Sequence, residues 1–506
     1  MAGSEAMHRV LILLFRFLIP TLHIKMVLGM PTISQRRRAL RSLPTELFYS
    51  FQSIITRIRR YPFASRAKLG IKVLMWLHFA YRPLKLEELQ HALAVRSSDT
   101  EFDKDNVPSE KVLLDCCLGL VVVDKETSTV RFMHYTLEEY FLDNTTEEFP
   151  NGCSSIAKTC LTYLNFGQLR PHCTSLDNLR EVLKKYPFLN YAALYWGTYV
   201  KQCDHGLMEL AKKIVDHKTK GPPCAIQALY FGLDKIWPPF AQKFSGVHAT
   251  AYFGLSEYME YFCNIDKHVI DLEDDSNRTP LSWAADYGHA SIVQMLIERK
   301  DVDINSKDKY GWTPLSLAAM NGHEVVVRLL IGRGDVNVNV KDDYGWTPLF
   351  IAVMNGHEPV ARLLIERKDV DVNIQDNDRR TPLLLASEKG YKAVVRLLIE
   401  RGDVDVNVED NRLQTPLSIA AKNGYEAIVR LLERAGGTID LDVQDGYKYT
   451  PHYLRCQLLA NTGEPISYAE ICGRTDFYHS DQISLSTTEL IIPRFLLSDH
   501  SSLLSE

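Results

Sequence analysis

The sequence predicts a mostly α-helical chain: a solenoid of short two-helix repeats, preceded by a compact helix-and-hairpin domain and a helical spacer. Three observations predict it. Thr-Pro-Leu recurs five times, opening at Thr279, Thr313, Thr347, Thr381 and Thr415, always 34 residues apart. A glycine keeps the same interval from Gly254 through Gly288, Gly322, Gly356 and Gly390 to Gly424. Upstream, two β-prone runs, Leu120 to Asp124 and Thr129 to Met133, flank a short polar turn. A fixed period in this range means stacked supersecondary units, and such stacks build long surfaces rather than catalytic pockets.

The chain opens on a basic segment. With 506 residues, 46% of them hydrophobic and 24% charged, the composition is globular and allows about two to four domains. The net charge of −5 is unevenly placed: residues 1–72 hold 13 Arg and Lys against Glu5 and Glu46, so they carry +11 and the remainder −16. Arg36, Arg37, Arg38 and Arg41, with Arg57, Arg59 and Arg60, suit nuclear import, a nucleic acid or an acidic partner; the alternative is a solvated helix face. Val10 to Ile19 is apolar except for Arg16 and ends at Pro20, while His23 and Lys25 follow. That pattern predicts a buried or amphipathic helix, with neither secretion nor a membrane span. The ten cysteines form no Cys-x-x-Cys pair and none has finger spacing with His. They read as reduced thiols of an intracellular protein, with no metal site and no disulfide framework.

From residue 68 the pattern becomes mixed. Lys68 to Ala80 predicts a helix, Arg82 to Leu89 opens a second, and Ser109 to Cys117 makes a third. The hairpin follows, and His134 to Phe141 returns to helix. Three helices and a hairpin make a winged-helix arrangement. Its second helix, Leu86 to Val95, carries Glu87, Glu88, Gln90 and His91 with no Arg or Lys. That face repels phosphates, so direct DNA readout is not expected. The aromatic runs Tyr186 to Leu189 and Tyr191 to Gly197 predict packed spacer helices.

Each repeat has a readable physical logic. Thr before Pro is an N-cap followed by the first helical position, where a missing N–H costs nothing. In the unit opening at Thr313, Gly322 supplies the left-handed stop, and Glu324 to Ile331 forms a second helix. Asp335 to Asn339 alternates as an extended finger would. Residues 246–263 read as a degenerate first unit, as a terminal repeat should. The candidate binding residues lie on the finger tips: Tyr310 and Trp312, then Tyr344 and Trp346, then Arg379 and Arg380, then Arg412. Tyr287, Met320, Met354 and Lys389 extend the same wall along the inner helices. Trp, Tyr and Arg dominate interface energetics. The alternative is that each Trp packs on the adjoining finger.

Catalytic readings find no residues. His323-Glu324 and His357-Glu358 lack the second His of a zinc protease motif, and the finger pairs such as Asp369 and Asp371 lack the turn Gly of a calcium loop. No Gly-x-Ser-x-Gly elbow occurs, and no Gly-Lys dipeptide exists to build a phosphate loop. No enzyme activity, cofactor, metal or small-molecule substrate is expected.

The repeats resemble the ankyrin family: the turn Asp (Asp274, Asp308, Asp342, Asp376, Asp410), Thr-Pro-Leu, Ala, Gly-His and Leu-Leu recur together. The family's His after Thr-Pro-Leu is replaced by Ser282, Ser316, Phe350, Leu384 and Ser418, so its Thr–His bond is absent, and the loop is a residue longer. The stretch from about residue 10 to 450 also resembles fungal NACHT-type signalling ATPases that carry ankyrin repeats. The resemblance rests on Thr32 to Leu40, Leu43-Pro44-Thr45, Val73 to Trp76, Arg82-Pro83-Leu84, Leu113 to Val123 and His134 to Leu137. It implies a basic segment 1–67 like the end of a NACHT module, a winged-helix-like domain 68–145 and a helical spacer 146–245, while the 34-residue period marks repeats 246–449 and its end leaves an irregular tail 450–506. It also implies that a His at the place of His134 holds a bound ADP phosphate; without a phosphate loop, His134 is expected to cap the hairpin-to-helix junction instead.

The function these readings favour is a non-catalytic adaptor, cytoplasmic or nuclear, that binds protein partners through the concave face of residues 246–449. The alternatives are a nuclear coregulator that holds a transcription factor, and a fragment of a signalling ATPase whose nucleotide module lies elsewhere.

Overall fold

The computed structural model describes residues 47–203, 205–215, 223–233, 242–265 and 270–437. The expected helix at Val10 to Ile19, the run Arg36 to Arg41 and the tail 450–506 lie outside the described residues.

The first part is a winged helix. Helices α1 (Leu47–Arg59) and α2 (Ala64–Phe79) lead to strand β1 (Leu84–Lys85), α3 (Leu86–Ala94), α4 (Glu110–Cys116), β2 (Val121–Val123), β3 (Thr129–Phe132) and α5 (Tyr135–Asp143). The antiparallel sheet has the order β1-β3-β2, with Leu84 opposite Val130 and Val121 opposite Phe132. Trp76, Leu84, Leu89, Leu113, Val130 and Phe141 are buried beneath it.

Two expectations need correction here. Residues 84–85 do not open the second helix but form an edge strand, because their backbone pairs with Val130 and Thr129 of β3 and the helix starts only at Leu86. Glu88 does not sit on a phosphate-repelling solvent face: it is buried, gripped by both arms of Arg82 (2.8 and 2.7 Å), and accepts the Lys85 N–H at 2.8 Å. Helix α3 turns instead toward the spacer, where His91 Nδ1 meets the Tyr163 hydroxyl at 2.9 Å and its ring stacks on Phe102. His134 caps α5 as expected, its Nδ1 accepting the Thr136 N–H at 3.3 Å.

The spacer comprises α6 (Thr145–Glu148), α7 (Gly152–Leu164), α8 (Leu176–Lys185), α9 (Phe188–Lys201), α10 (Met208–Val215) and α11 (Cys224–Leu233). It shares a core with the winged helix. Trp76 of α2 meets Phe188 and Tyr191 of α9 edge-on, and the Tyr199 hydroxyl donates to the Phe79 carbonyl at 2.8 Å. Glu148 bonds both Arg59 (2.5 Å) and the Tyr140 hydroxyl (2.8 Å). Tying two segments through fixed polar bonds within an aromatic core makes them one support.

The repeats are helix pairs: α12 (Gly246–Phe253) and α13 (Ser256–Ile265), α14 (Pro280–Asp286) and α15 (Ala290–Ile297), α16 (Pro314–Met320) and α17 (Glu324–Gly332), α18 (Pro348–Met354) and α19 (Glu358–Ile365), α20 (Pro382–Lys389) and α21 (Lys392–Arg401), α22 (Pro416–Lys422) and α23 (Glu426–Arg434). Every repeat Thr caps its inner helix, as Thr313 does by accepting the Ser316 N–H at 3.2 Å. Serine partly replaces the absent histidine: the Thr279 and Thr313 hydroxyls also bond Ser282 and Ser316 at 3.1 and 3.0 Å. Phe350 and Leu384 offer only their backbone N–H.

Side chains tie each unit to the previous one at regular places. His323 Nε2–H donates to the Asp286 carbonyl and His357 Nε2–H to that of Met320, both at 2.9 Å; the tautomer follows, since a carbonyl only accepts. Gly322 holds φ +71°, and a Cβ there would lie 2.6 Å from His357 Nδ1, so the stop residue also clears room for that His. On the outer side, Arg333 and Arg401 reach the carbonyls of Ile297 and Ile365 one unit back, while pairing with Asp335 and Asp403.

The fingers are non-helical, as the alternation of Asp335 to Asn339 suggests. Residues 270–437 contain no strand; the fingers are runs of turns. Their alternation survives as buried Val336, Val338, Val370 and Val372 between polar neighbours. A ladder of asparagine side chains links adjacent fingers instead of backbone pairing. Asn305 donates to the Asp335 carbonyl (2.9 Å) and accepts the Asn337 N–H (2.8 Å), and Asn339 and Asn373 repeat the pattern.

Candidate functional site

Each finger tip is built around its turn Asp. One oxygen of Asp308 accepts the N–H groups of Tyr310 and Trp312 (2.9 and 3.0 Å), and Asp342 accepts those of Tyr344 and Trp346 (2.9 and 2.8 Å). A short polar side chain that satisfies two turn N–H groups fixes the loop without secondary structure. Successive tips are also joined through backbone: Asp343 N–H donates to the Tyr310 carbonyl and Asn377 N–H to that of Tyr344, both at 3.2 Å. The tips therefore stand as a row with a set spacing.

The second Asp oxygen explains the tryptophans. Trp312 Nε1–H donates to Asp342 (2.8 Å) and Trp346 Nε1–H to Asp376 (3.4 Å), each in the next finger. Arg278 reaches Asp308 in the same way at 3.3 Å, whereas Arg380 folds back onto its own Asp376 at 2.8 Å. Both indoles are half-buried, and Trp346 stacks on Phe350. Their polar ends thus belong to the stack, and the rings support the tyrosines. Tyr310 and Tyr344 remain 42% and 52% exposed, packed on Trp312 and Trp346 at ring distances of 5.4 and 4.9 Å.

The remaining predicted residues sit on the later tips and at the ends of inner helices. Arg379 and Arg412 are exposed on the next two tips, Arg379 with φ +62°. Met320 and Met354 are half-buried and Lys389 is exposed at the ends of inner helices. Tyr287 is 43% exposed and lies at the other end, stacked on Trp283 and edge-on to Tyr252. Arg36, Arg37, Arg38 and Arg41 lie outside the described residues.

Sequence reasoning missed this second aromatic group. Trp283 is buried and donates Nε1–H to Asp274 at 2.9 Å, under the Arg278 guanidinium, which is clamped by Asp286 (3.0 Å) and Asp308. Burial pushes the Asp286 carboxyl up, while Arg278 opposes the shift. Burial also raises the Tyr287 phenol. The available signal was a Trp on an inner helix where sibling units carry Leu or Ile. Its spacer neighbour Tyr230, whose hydroxyl bonds Ser276 at 3.0 Å, carried no signal in the repeat pattern.

Among the described residues no group of three or more His, Cys, Asp or Glu side chains could hold a metal ion, and no helix is long and apolar enough to cross a membrane.

Comparison with known proteins agrees with this architecture. Residues 300–376 and 368–445 match a family model described as ankyrin repeats (3 copies), and residues 267–318 match one described as ankyrin repeats (many copies). Residues 61–150 match the winged helix domain of GPI inositol-deacylase. Among curated proteins, the ankyrin repeat-containing protein C6C3.08 of Schizosaccharomyces pombe is 32% identical over 56 residues, which are 11% of this chain and 24% of that protein. The human 26S proteasome non-ATPase regulatory subunit 10 is 37% identical over 62 residues, 12% of this chain and 27% of that one. The chain thus spans about a quarter of the length of either relative. Among solved structures, the ankyrin repeat domain of Bcl-3, a member of the IkappaB protein family, aligns with 24% identity and a TM-score of 0.37, covering 43% of this chain and 97% of that one.

Proposed function

We propose, from the premise that this chain carries ankyrin repeats behind a winged helix, that it is a non-catalytic interaction protein whose finger tips and inner helices hold a polypeptide partner. One observation supports this reading above the others: Tyr310 and Tyr344 stand exposed side by side on turns that their Asp residues and the neighbouring backbone already fix. A pre-ordered row of exposed aromatic residues loses little freedom on binding, and amphipathic Tyr gains contact area at low entropy cost. Arg379 and Arg412 continue the row with charge, and Met320 and Met354 supply an adaptable floor. The segments 1–67, 68–145 and 146–245 are read as the support that presents repeats 246–449.

The experiment is quantitative capture. Tagged wild-type chain and a Tyr310→Ala/Tyr344→Ala variant are incubated with an extract of the source cells. A partner recovered by the wild type and lost with the variant supports the proposal; equal recovery removes the tips from the binding surface. A second reading, nuclear coregulation of a transcription factor, is favoured by the +11 charge of residues 1–72. Nuclear accumulation that disappears when Arg36, Arg37, Arg38 and Arg41 become Ala would support it, and a protein cytosolic in both forms would exclude it.

A further inference from the structure

A cavity of about 190 Å³ opens where the spacer meets the first two fingers. Tyr230 of α11 forms one wall, Arg278 and Trp283 the floor, and Tyr287, Lys309 and Tyr310 the rim. We propose that this cavity receives an aromatic side chain of the partner polypeptide, with an acidic residue beside it in the partner's sequence set against Lys309. The proposal rests on the reading that the concave face binds protein, and it names the partner chemistry at one end of that face.

Size suits the first element. An enclosed protein cavity of about 150 Å³ holds a benzene ring, so this half-open space has room for one six-membered aromatic ring. Wall geometry selects the same group. Trp283 and Tyr287 are stacked with their planes 17° apart, and an entering ring can extend that stack or meet the Tyr310 edge. Tyr287 and Tyr310 are 43% and 42% exposed, so covering them removes apolar surface from water.

The walls are already fixed. Trp283 is held by Asp274, the Tyr230 hydroxyl by Ser276, and the Arg278 guanidinium by Asp286 and Asp308. A ring entering between these three side chains orders none of them further, which lowers one of the main costs of association. Charge selects the second element. Arg278 is neutralised by its two carboxylates, so it presents no unmet charge to a ligand. Lys309 is exposed, and its ammonium lies 4.9 Å from the Tyr310 ring centroid with no ion-pair partner among the described residues. An acidic neighbour of the inserted ring is the group that would complete it. Because Tyr230 comes from the spacer, the repeats alone would lack one wall of this site.

The test uses the whole chain and a phage-displayed random-peptide library. Recovered peptides are synthesised with a fluorophore, and their binding is measured by anisotropy against wild type, Tyr287→Ala, Lys309→Ala and Tyr344→Ala. The expected result is enrichment of Phe or Tyr next to Asp or Glu. Tyr287→Ala should weaken these peptides at least about tenfold, Lys309→Ala about threefold or more, and Tyr344→Ala less than about twofold. Lys309 is exposed and makes no ion pair, so its variant keeps the test valid even where Tyr287→Ala perturbs packing. Peptides without an aromatic residue, or peptides insensitive to both Tyr287→Ala and Lys309→Ala, overturn the cavity proposal. If such peptides depend on Tyr344 instead, the concave-face reading stands without it. Recovery of no peptide weakened by any of the three substitutions overturns both.

Discussion

The carboxylate of Asp342 performs two jobs with two oxygens: one closes its own turn, the other receives the Trp312 N–H from the preceding finger. The consequence is a separation between ring and rim. Trp312→Phe keeps the ring but leaves a buried carboxylate oxygen without its donor, and should cost about 1–3 kcal/mol in denaturant unfolding of the repeats. Tyr344→Ala removes an exposed ring and should cost less than about 1 kcal/mol, while the Tyr310→Ala/Tyr344→Ala pair loses partner capture. The opposite pattern would make the Tyr structural and the Trp functional. At the next tips, Arg379 and Leu413 hold φ of +62° and +59°, where siblings carry Gly311 and Gly345. Since a side chain in left-handed backbone is strained by roughly 1–2 kcal/mol, Arg379→Gly should raise the unfolding midpoint, and an unchanged midpoint would show the strain to be absent.

At the scale of the element, periodic features were the legible ones. The Thr caps, Gly stops and turn Asp residues recur because each unit solves the same local problem of closing helix ends and turns, and such solutions are written in adjacent residues. Features that depend on how elements are placed around one another were opaque. Glu88 reads as a surface charge until Arg82 and the strand at Leu84–Lys85 are placed around it. The arginines at 299, 333, 367 and 401 repeat every 34 residues, yet their bonds to carbonyls of the preceding unit are invisible without the stacking distance. Tyr230 joins the aromatic group from a different segment altogether.

Two predictions belong to this scale. Gly322→Ala should destabilise the stack by at least about 1 kcal/mol, because the new Cβ meets both unfavourable backbone and the His357 ring. Thermal unfolding indistinguishable from wild type would contradict that. Helix α3 should carry an acid sensitivity. Burial, reinforced by Lys104, depresses the His91 imidazole to about 4. The unfolded chain binds that proton near its ordinary value of about 6.5, so the native state is stabilised above that pH and loses the contribution as pH falls toward 4. His91→Phe should flatten the fall in stability across this window, and an unaltered pH profile would remove His91 as its source.

At the scale of the whole molecule, the described residues join a winged helix, a helical spacer and a stack of repeats. The winged helix and spacer share buried aromatic residues and the Glu148 network, and the spacer meets the repeats where the Asp275 carboxylate accepts the N–H groups of Gln242, Lys243 and Phe244. From there the tips follow one another, two aromatic tips at Tyr310 and Tyr344 preceding the basic ones at Arg379 and Arg412. The row of tips was legible because it is periodic; the cavity at its head was not, because a non-periodic segment completes it. The central claim, that the finger side holds a polypeptide, is tested most directly by photocrosslinking in cells. A benzophenone amino acid replaces Tyr344 on the tip in one protein, and Val325, 61% exposed on an outer helix, in another. The account predicts a discrete crosslinked polypeptide from position 344 and none from position 325. Crosslinking from position 325 alone would contradict it.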